Sequence, residues 1–237
     1  TNRPDPSTFS ASYDFEANSV NEGGIGGGGE GYVNIPLNER AAIRLVGWAE
    51  HEAGYIDNVL GSRTYLTSGV TDTNEDVAED DYNTVDTYGA RAALGIDLNE
   101  SWTVTPQIMW QRQESNGLFA QQSDVGDLAV AHWFPEWNKD QWVQGALTVR
   151  GEVSNFDVVF AASRLSRDVD GDLDYADYGY FYDTVAGYGC YYTDNTTPGS
   201  CPIGGDPIHP AQHIQQRDHY DRDTDFNPFH VGADEKV

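Results

Sequence analysis

Residues 40–56, RAAIRLVGWAEHEAGYI, alternate between apolar and polar side chains over seventeen positions. The odd positions are mostly apolar and are interrupted by His51, whereas the even positions include the charged residues Arg44 and Glu50. A period of two predicts a β-strand rather than a helix. Such a strand would extend about 55 Å at about 3.3 Å per residue, while strands of soluble domains usually end after about five or six residues. The pattern therefore raises the question of which solvent contacts the apolar side.

Further segments of the chain alternate in the same way, and we predict that each forms a strand. They span residues 8–18, 31–37, 88–98, 101–111, 143–153 and 156–163. The fold class we predict is therefore all-β, with about seven antiparallel strands. Pro106 lacks the N–H that a ladder needs, so we expect a local β-bulge there.

The connections between these strands differ in length in a regular way. Residues 37–40, 98–101 and 153–156 are short enough for hairpin turns, whereas long polar segments cover 22–31, 58–84, 114–140 and 167–237. Short turns at one end of a sheet and long loops at the other are typical of an outer-membrane barrel, with the turns in the periplasm and the loops outside. We therefore predict an incomplete antiparallel transmembrane β-barrel in the cell outer membrane. Aromatic residues at the strand ends would lie at the two membrane interfaces, namely Tyr55, Tyr88, Trp102 and Trp110.

Composition restricts the classes of partner. The chain has 13 Lys and Arg against 39 Asp and Glu, a formal charge of −26 and a mean hydropathy of −0.58. This charge argues against nucleic acid as a partner, because phosphates would be repelled. No run of about 18 apolar residues predicts a transmembrane helix, but barrel strands are apolar only at every second position and need no such run. Since Thr1 does not begin a signal peptide, we expect that an export signal has been removed or lies upstream.

Three segments together resemble a known family. They are TNRPDPSTF at 1–9, GYVNIPLNERAAIRLVGW at 31–48 and YGARAALGIDLNESWTVTPQIMWQ at 88–111. They are similar to the first barrel strands of a TonB-dependent outer-membrane receptor, and the resemblance covers residues 1–167. It implies gated import of a scarce nutrient such as a ferric siderophore, cobalamin or an oligosaccharide. The partners it implies are the TonB complex, reached through a plug region, the small-molecule or oligosaccharide ligand, and outer-membrane lipid.

The resemblance also implies an organisation and a set of ligand-path residues. The segment lacks a plug and has far fewer strands than the roughly 22 of a plugged barrel, so we interpret it as a fragment. Residues 1–167 would be the first barrel strands, and 168–237 a long acidic extracellular loop or tail. The barrel lumen would be lined by Arg44, Trp48, Arg91, Gln107, Gln111 and Arg150.

Other functions remain open at this point. One is a passive porin, which needs no plug, and another is a secreted, calcium-stabilised β-sandwich that binds glycans. We expect no enzymatic activity, because the lumen residues would bind and pass a ligand, and no GxSxG nucleophile motif occurs.

The long loops carry two candidate sites. The segment DVDGDLD places carboxylates at alternate positions, and these can bind Ca²⁺ or form a solvated acidic loop: Asp168, Asp170, Asp172 and Asp174. Their glycine is not at the EF-hand position, and we expect no other cofactor. Cys190 and Cys201, the two cysteines of the chain, are predicted to form a disulfide in an oxidising exterior.

Two further motifs favour unspecialised loops. The glycine run GGIGGGGEG at 23–31 has dinucleotide-binding spacing, but a strand follows it, so we expect a flexible hairpin loop. The C-terminal histidines accompany no zinc motif and predict a polar tail; they are His209, His213, His219 and His230.

Overall fold

The computed structural model describes residues 2–65, 71–174, 176–177 and 180–181, together with the backbone of 218–220. In this part of the chain the strands are β1 (Ser10–Ser19), β2 (Ile25–Asn38), β3 (Ala41–Glu52), β4 (Asp57–Asn58), β5 (Ser62–Thr64), β6 (Thr71–Thr73), β7 (Val85–Asp97), β8 (Trp102–Asn116), β9 (Ala129–Val130), β10 (Trp137–Val153), β11 (Phe156–Leu173) and β12 (Asp218–Tyr220).

Most strands belong to one antiparallel sheet, in which the long strands neighbour one another in chain order. The order across this sheet is β1-β2-β3-β7-β8-β10-β11-β12. The remaining strands form a parallel pair, β4 with β9, and an antiparallel pair, β5 with β6. The predicted all-β class and the antiparallel arrangement are confirmed, and each of the seven predicted segments overlaps a strand of the large sheet.

The strand register gathers the apolar side chains on one face. Across the sheet Val33 lies opposite Leu45, Leu45 opposite Ala92, Ala92 opposite Ile108, and Ile108 opposite Gly145. We call this side the apolar face; it also carries Ile35, Ile43, Val104, Trp102, Trp110, Val143, Leu147, Val149, Val158 and Phe160. The other side, the polar face, carries Asn34, Arg44, Arg91, Thr105 and Gln107.

Burial on the two faces is the reverse of what soluble sheets show. Leu45 is 39% exposed, Ile108 55% and Phe160 56%, whereas Arg44 and Arg91 are only 8% and 7% exposed. In soluble proteins Arg is almost never buried unless it is paired, and large aliphatic side chains are mostly inside. The described residues therefore leave the apolar face uncovered and use the polar face for internal contacts.

The glycine run is part of a strand, so the prediction of a flexible hairpin loop was wrong. Strand β2 begins at Ile25 and pairs with β1 and β3 through the glycines. A Cβ atom at Gly26 would lie 2.8 Å from the carbonyl oxygen of His51, and one at Gly27 would lie 2.7 Å from that of Glu16. The neighbouring backbones approach too closely for larger residues, which explains why glycine occupies this strand.

Several strands extend beyond their predicted ends, and one is shorter. Strand β8 continues to Asn116, β10 already begins at Trp137, and β11 continues to Leu173, so residues 168–173 are strand rather than loop. Both faces of these extensions are largely polar, so the hydrophobic alternation does not reveal them. Strand β3 ends at Glu52, and the backbone of Gly54 then packs so closely on Asp81 that a Cβ there would overlap the Asp81 carbonyl oxygen.

Pro106 does not produce the bulge that we expected. It pairs regularly with Leu147 of β10, and on the β7 side the ladder passes from Ala93–Gln107 to Ile96–Val104 in unchanged register. Because Pro106 has no N–H, the ladder between β7 and β8 is interrupted locally, and no extra residue is inserted. A register shift does occur between Pro36 and Asn38.

The long segments between strands form a structured unit, which we call the loop cap: residues 53–65, 71–84 and 117–136. Three buried asparagines hold it together, Asn58, Asn74 and Asn83. Asn74 accepts from the Gly61 N–H at 2.6 Å, and its amide donates to the carbonyl of His132 at 2.9 Å. Side-chain amides thus supply the backbone partners that an irregular segment otherwise lacks. In the described ranges no helix is both long and apolar enough to cross a membrane.

Gly89 lies where a side chain would clash, and we expect Gly89→Ala to lower the free energy of unfolding by about 1–3 kcal/mol. A Cβ at this position would lie 2.3 Å from the ring of Trp48 and 2.6 Å from the backbone carbonyl oxygen of Trp110, which cannot move freely. Gly145→Ala is the matched control, since no atom lies within 4 Å of its Cβ position. Denaturant unfolding followed by circular dichroism measures both variants, and equal stability of the two would contradict the prediction.

Candidate functional site

The polar face gathers most of the predicted ligand-path residues. Arg44 lies opposite Ala93, and Ala93 lies opposite Gln107, while the neighbouring Arg91 pairs with Val46 and Met109. Strand parity brings these side chains to one side because residues two apart on a strand share a face. The register therefore places them on one face, and the lining of a lumen by these residues stays a prediction.

Arg91 is bound to its neighbours by directed hydrogen bonds. Its Nε and Nη2 atoms both donate to the side-chain carbonyl oxygen of Gln107, at 3.0 and 2.6 Å. Its Nη1 atom donates to the backbone carbonyl of Asn2 at 3.5 Å. Gln107 therefore orients the guanidinium across the polar face.

Arg44 is held by an aromatic ring. Its guanidinium carbon lies 3.6 Å from the centre of the Tyr32 ring, which is the geometry of a cation–π contact. Stacking covers the flat side of the guanidinium, while its N–H groups point outward from the edge of that plane. Tyr32 was not among the predicted site residues, because alternation assigns a face to a residue but no partner.

Trp48 and Gln111 lie beside this cluster, and Arg150 does not. Trp48 and Gln111 are both register partners of Gly89, so the indole ring lies over that glycine. Arg150 lies further along β10, opposite Thr103 and Val159, and is exposed. The candidate site thus consists of five of the six predicted residues.

The N-terminal segment, residues 2–8, packs against the polar face and is anchored by Asn34. This side chain is fully buried, with 0% exposure. It accepts from the Asp5 N–H at 2.9 Å and donates to the carbonyls of Asp5 and Thr8, both at 2.8 Å. Asn34 was not among the predicted site residues, although it lies in a predicted strand and alternation already places its polar side chain on the face opposite the apolar Val33 and Ile35.

A cavity of about 730 Å³ opens between the N-terminal segment and the polar face. Its lining includes Arg44, Arg91, Trp48, Tyr32 and Met109. Two guanidinium groups and two aromatic rings can bind a ligand that carries a negative charge or a flat ring. The same cavity also meets Asp14 and Glu30, which favour polar or mixed-charge ligands over simple anions.

A second polar cluster lies in the loop cap around His132. The carboxylate of Glu136 accepts from His132 Nδ1 at 2.5 Å and from the Asp174 N–H at 3.0 Å. Burial alone lowers the pKa of His132, but the hydrogen bond and charge of Glu136, together with Asp174 and Asp177, raise it overall. Burial raises the pKa of Tyr82, whose hydroxyl lies 3.4 Å from Glu136, to about 12.

The remaining predicted sites are dispersed or lie outside the described residues. Three of the four predicted calcium ligands lie on β11, namely Asp168, Asp170 and Asp172. The fourth, Asp174, follows the strand and accepts from the Trp133 N–H at 2.5 Å. In the residues that the structure describes, no group of three His, Cys, Asp or Glu can hold a metal ion, and the calcium site stays a prediction. Cys190 and Cys201 lie outside the described residues, as do the histidine side chains of the tail.

Comparison with known proteins gives no relative: no family model, no curated protein and no solved structure matches the chain.

Removing the Asn34 side chain should release the N-terminal segment. In Asn34→Ala the Asp5 N–H and the carbonyls of Asp5 and Thr8 lose their partners, each at a cost of about 1–3 kcal/mol if it stays buried. We expect faster hydrogen exchange and faster proteolysis in residues 2–8. Asn38→Ala, which removes one exposed bond to the Arg40 N–H, should leave this segment protected. Unchanged exchange in Asn34→Ala would refute the anchor.

The raised pKa of His132 predicts a pH dependence of the loop cap. A raised folded-state pKa means that protonated His132 stabilises the fold below its unfolded value of about 6.5, and that this contribution is lost as pH rises through the folded value. We expect hydrogen exchange of residues 117–136 to accelerate as pH rises above about 6.5, after correction for the intrinsic rate. His132→Gln should remove this dependence and His51→Gln should keep it; the reverse result would contradict the assignment.

Proposed function

We propose that the chain forms barrel strands of a TonB-dependent receptor in the cell outer membrane, which imports a scarce nutrient such as a ferric siderophore, cobalamin or an oligosaccharide. The observation that carries the proposal is the uncovered apolar face. In this proposal the protein has no catalytic role. Its partners are outer-membrane lipid, the imported ligand and, through an upstream plug region, the TonB complex.

The height of the apolar face fits a bilayer. On β8 it runs from Trp102 to Trp110, and on β3 from Ala41 to Ala49, nine residues in each case. A transmembrane β-strand needs about 9–11 residues. Beyond Trp110 the same face carries Arg112 and Glu114, and beyond Ala49 it carries His51 beside Asp86. The change from apolar to charged side chains at a common level supports a boundary between hydrocarbon and water.

Aromatic residues lie at the two limits of this band. Tyr88 and Trp110 contact each other at one limit, with ring centres 5.6 Å apart. Trp102 lies at the other limit, over Gly151, and Phe156 begins the next strand opposite Val153. Girdles of aromatic residues at both interfaces are typical of outer-membrane barrels.

The distribution of connections supports the same orientation. The turns at 39–40, 98–101 and 154–155 are short, while the loop cap joins strands at the opposite end of the sheet. The exception is the β1–β2 connection, which is also short because the glycine run is strand. Outer-membrane barrels have short periplasmic turns and longer external loops.

Two features favour this function over the alternatives. A soluble sandwich would cover the apolar face with a second sheet, and the described residues place no sheet there. An open porin would leave the polar face to water, whereas here residues 2–8 cover it and hydrogen-bond to Asn34 and Arg91. A segment that enters along the polar face is suited to connect an upstream plug with the barrel wall.

Lipid-phase quenching tests the proposal directly. Single tryptophans placed at Leu45 or Val46, in the full-length protein with the other tryptophans replaced, should differ although the two residues are adjacent. We expect a brominated lipid to quench the tryptophan at 45, on the apolar face, and to leave the one at 46 nearly unchanged. Equal quenching at both positions, or none at either, would refute the membrane assignment.

A further inference from the structure

Arg63 lies in the loop cap and not on the polar face, and its surroundings are unusual for a charged side chain. The side chain is only 5% exposed. Its guanidinium carbon lies 3.9 Å from the centre of the Trp133 ring and 5.3 Å from the centres of Tyr65 and Tyr180. Three aromatic rings thus replace water around the flat faces of the cation.

The N–H groups of this guanidinium differ in their hydrogen bonding. Nη1 donates to the carboxylate of Asp177 at 3.2 Å. Nε and Nη2 are buried and have no hydrogen-bond acceptor among the residues that the structure describes. A buried donor without a partner is destabilising, and more so when the group is charged, so such an edge is an incomplete site.

The free edge has the geometry of an oxyanion site. Nε–H and Nη2–H point in parallel and match the two oxygens of a carboxylate or a phosphate, which is the bidentate contact that arginine makes best. The three surrounding rings restrict the guanidinium before a ligand arrives, which lowers the entropy lost on binding.

Asp177 accepts from the Nη1 atom of the same guanidinium. It is 59% exposed, and its carboxylate bridges Arg63 and the side-chain amide of Gln122, at 3.2 and 3.0 Å. Its negative charge opposes a second anion near the same guanidinium.

We propose that Arg63 is an oxyanion-binding residue whose Nε and Nη2 edge takes a carboxylate or phosphate group of a ligand at the loop cap. The site rests on the contacts of the loop cap alone and does not require the sheet to cross a membrane. The net charge of −26 repels anions from the chain as a whole, so binding of an anionic ligand depends on the local positive charge of Arg63.

Tryptophan fluorescence tests the site, because Trp133 contacts the guanidinium. The full chain in detergent is titrated with sodium citrate in one arm and sodium phosphate in the other, at an ionic strength held constant with sodium chloride. We expect a saturable change in at least one arm, lost in Trp133→Phe; the arm that responds identifies a carboxylate or a phosphate ligand. A signal that does not saturate in either arm would overturn the proposal.

Substitutions at the two ends of the ion pair give opposite expectations. Arg63→Lys keeps the charge but loses the fork, and we expect binding to weaken about tenfold or more. Arg112→Lys is the control, since that guanidinium already binds Glu114. Asp177→Asn removes the competing charge at an exposed position and should tighten binding about three- to tenfold even if Arg63→Lys fails to fold. Equal weakening in both lysine variants, or no tightening in Asp177→Asn, would overturn the proposal.

Discussion

The architecture depends on the register of the backbone ladder. Because side chains on a strand alternate, a slip of one residue between neighbouring strands would exchange the apolar and polar faces of every strand beyond it. Two turns help to prevent this slip in the same way: Asn38 accepts from the Arg40 N–H and Asn99 accepts from the Ser101 N–H, both at 2.9 Å. Once the register is fixed, the position of a residue along its strand decides its face. The arginines are therefore buried on the polar face, and the aliphatic residues are exposed on the apolar face.

The sequence predicted the strands only where one face is apolar. Alternation located the segment of β8 from Trp102 to Trp110, but not its continuation to Asn116, where both faces are polar. It also missed the glycine run of β2, because glycine has no side chain to mark a face. The loop cap was not predicted for another reason. Asn58, Asn74 and Asn83 act through hydrogen bonds to distant backbone atoms, and such contacts have no period along the chain.

The candidate site was also predicted only in part. Parity alone correctly placed Arg44, Arg91 and Gln107 on one face, since it needs only the strand and the counting of positions. The partners that give these residues a function were not predictable, because the contact of Tyr32 with Arg44 is a product of cross-strand geometry. The carboxylates of 168–174 were predicted as loop residues, but Asp168, Asp170 and Asp172 lie on β11, where alternate residues share a face about 7 Å apart. The calcium site itself stays a prediction.

The anchoring of residues 2–8 has a mechanical consequence. Asn34 holds the segment through hydrogen bonds to Asp5 and Thr8 that lie on a single side chain, whereas β1 is joined to β2 by a ladder of ten residue pairs. A tension applied to the chain ahead of Thr8 would load the Asn34 contacts before it reached the ladder. Those few bonds would break first, and the sheet would keep its shape. The molecule therefore has a weak link placed beside its polar cavity, at which the N-terminal segment can be pulled away without unravelling a strand.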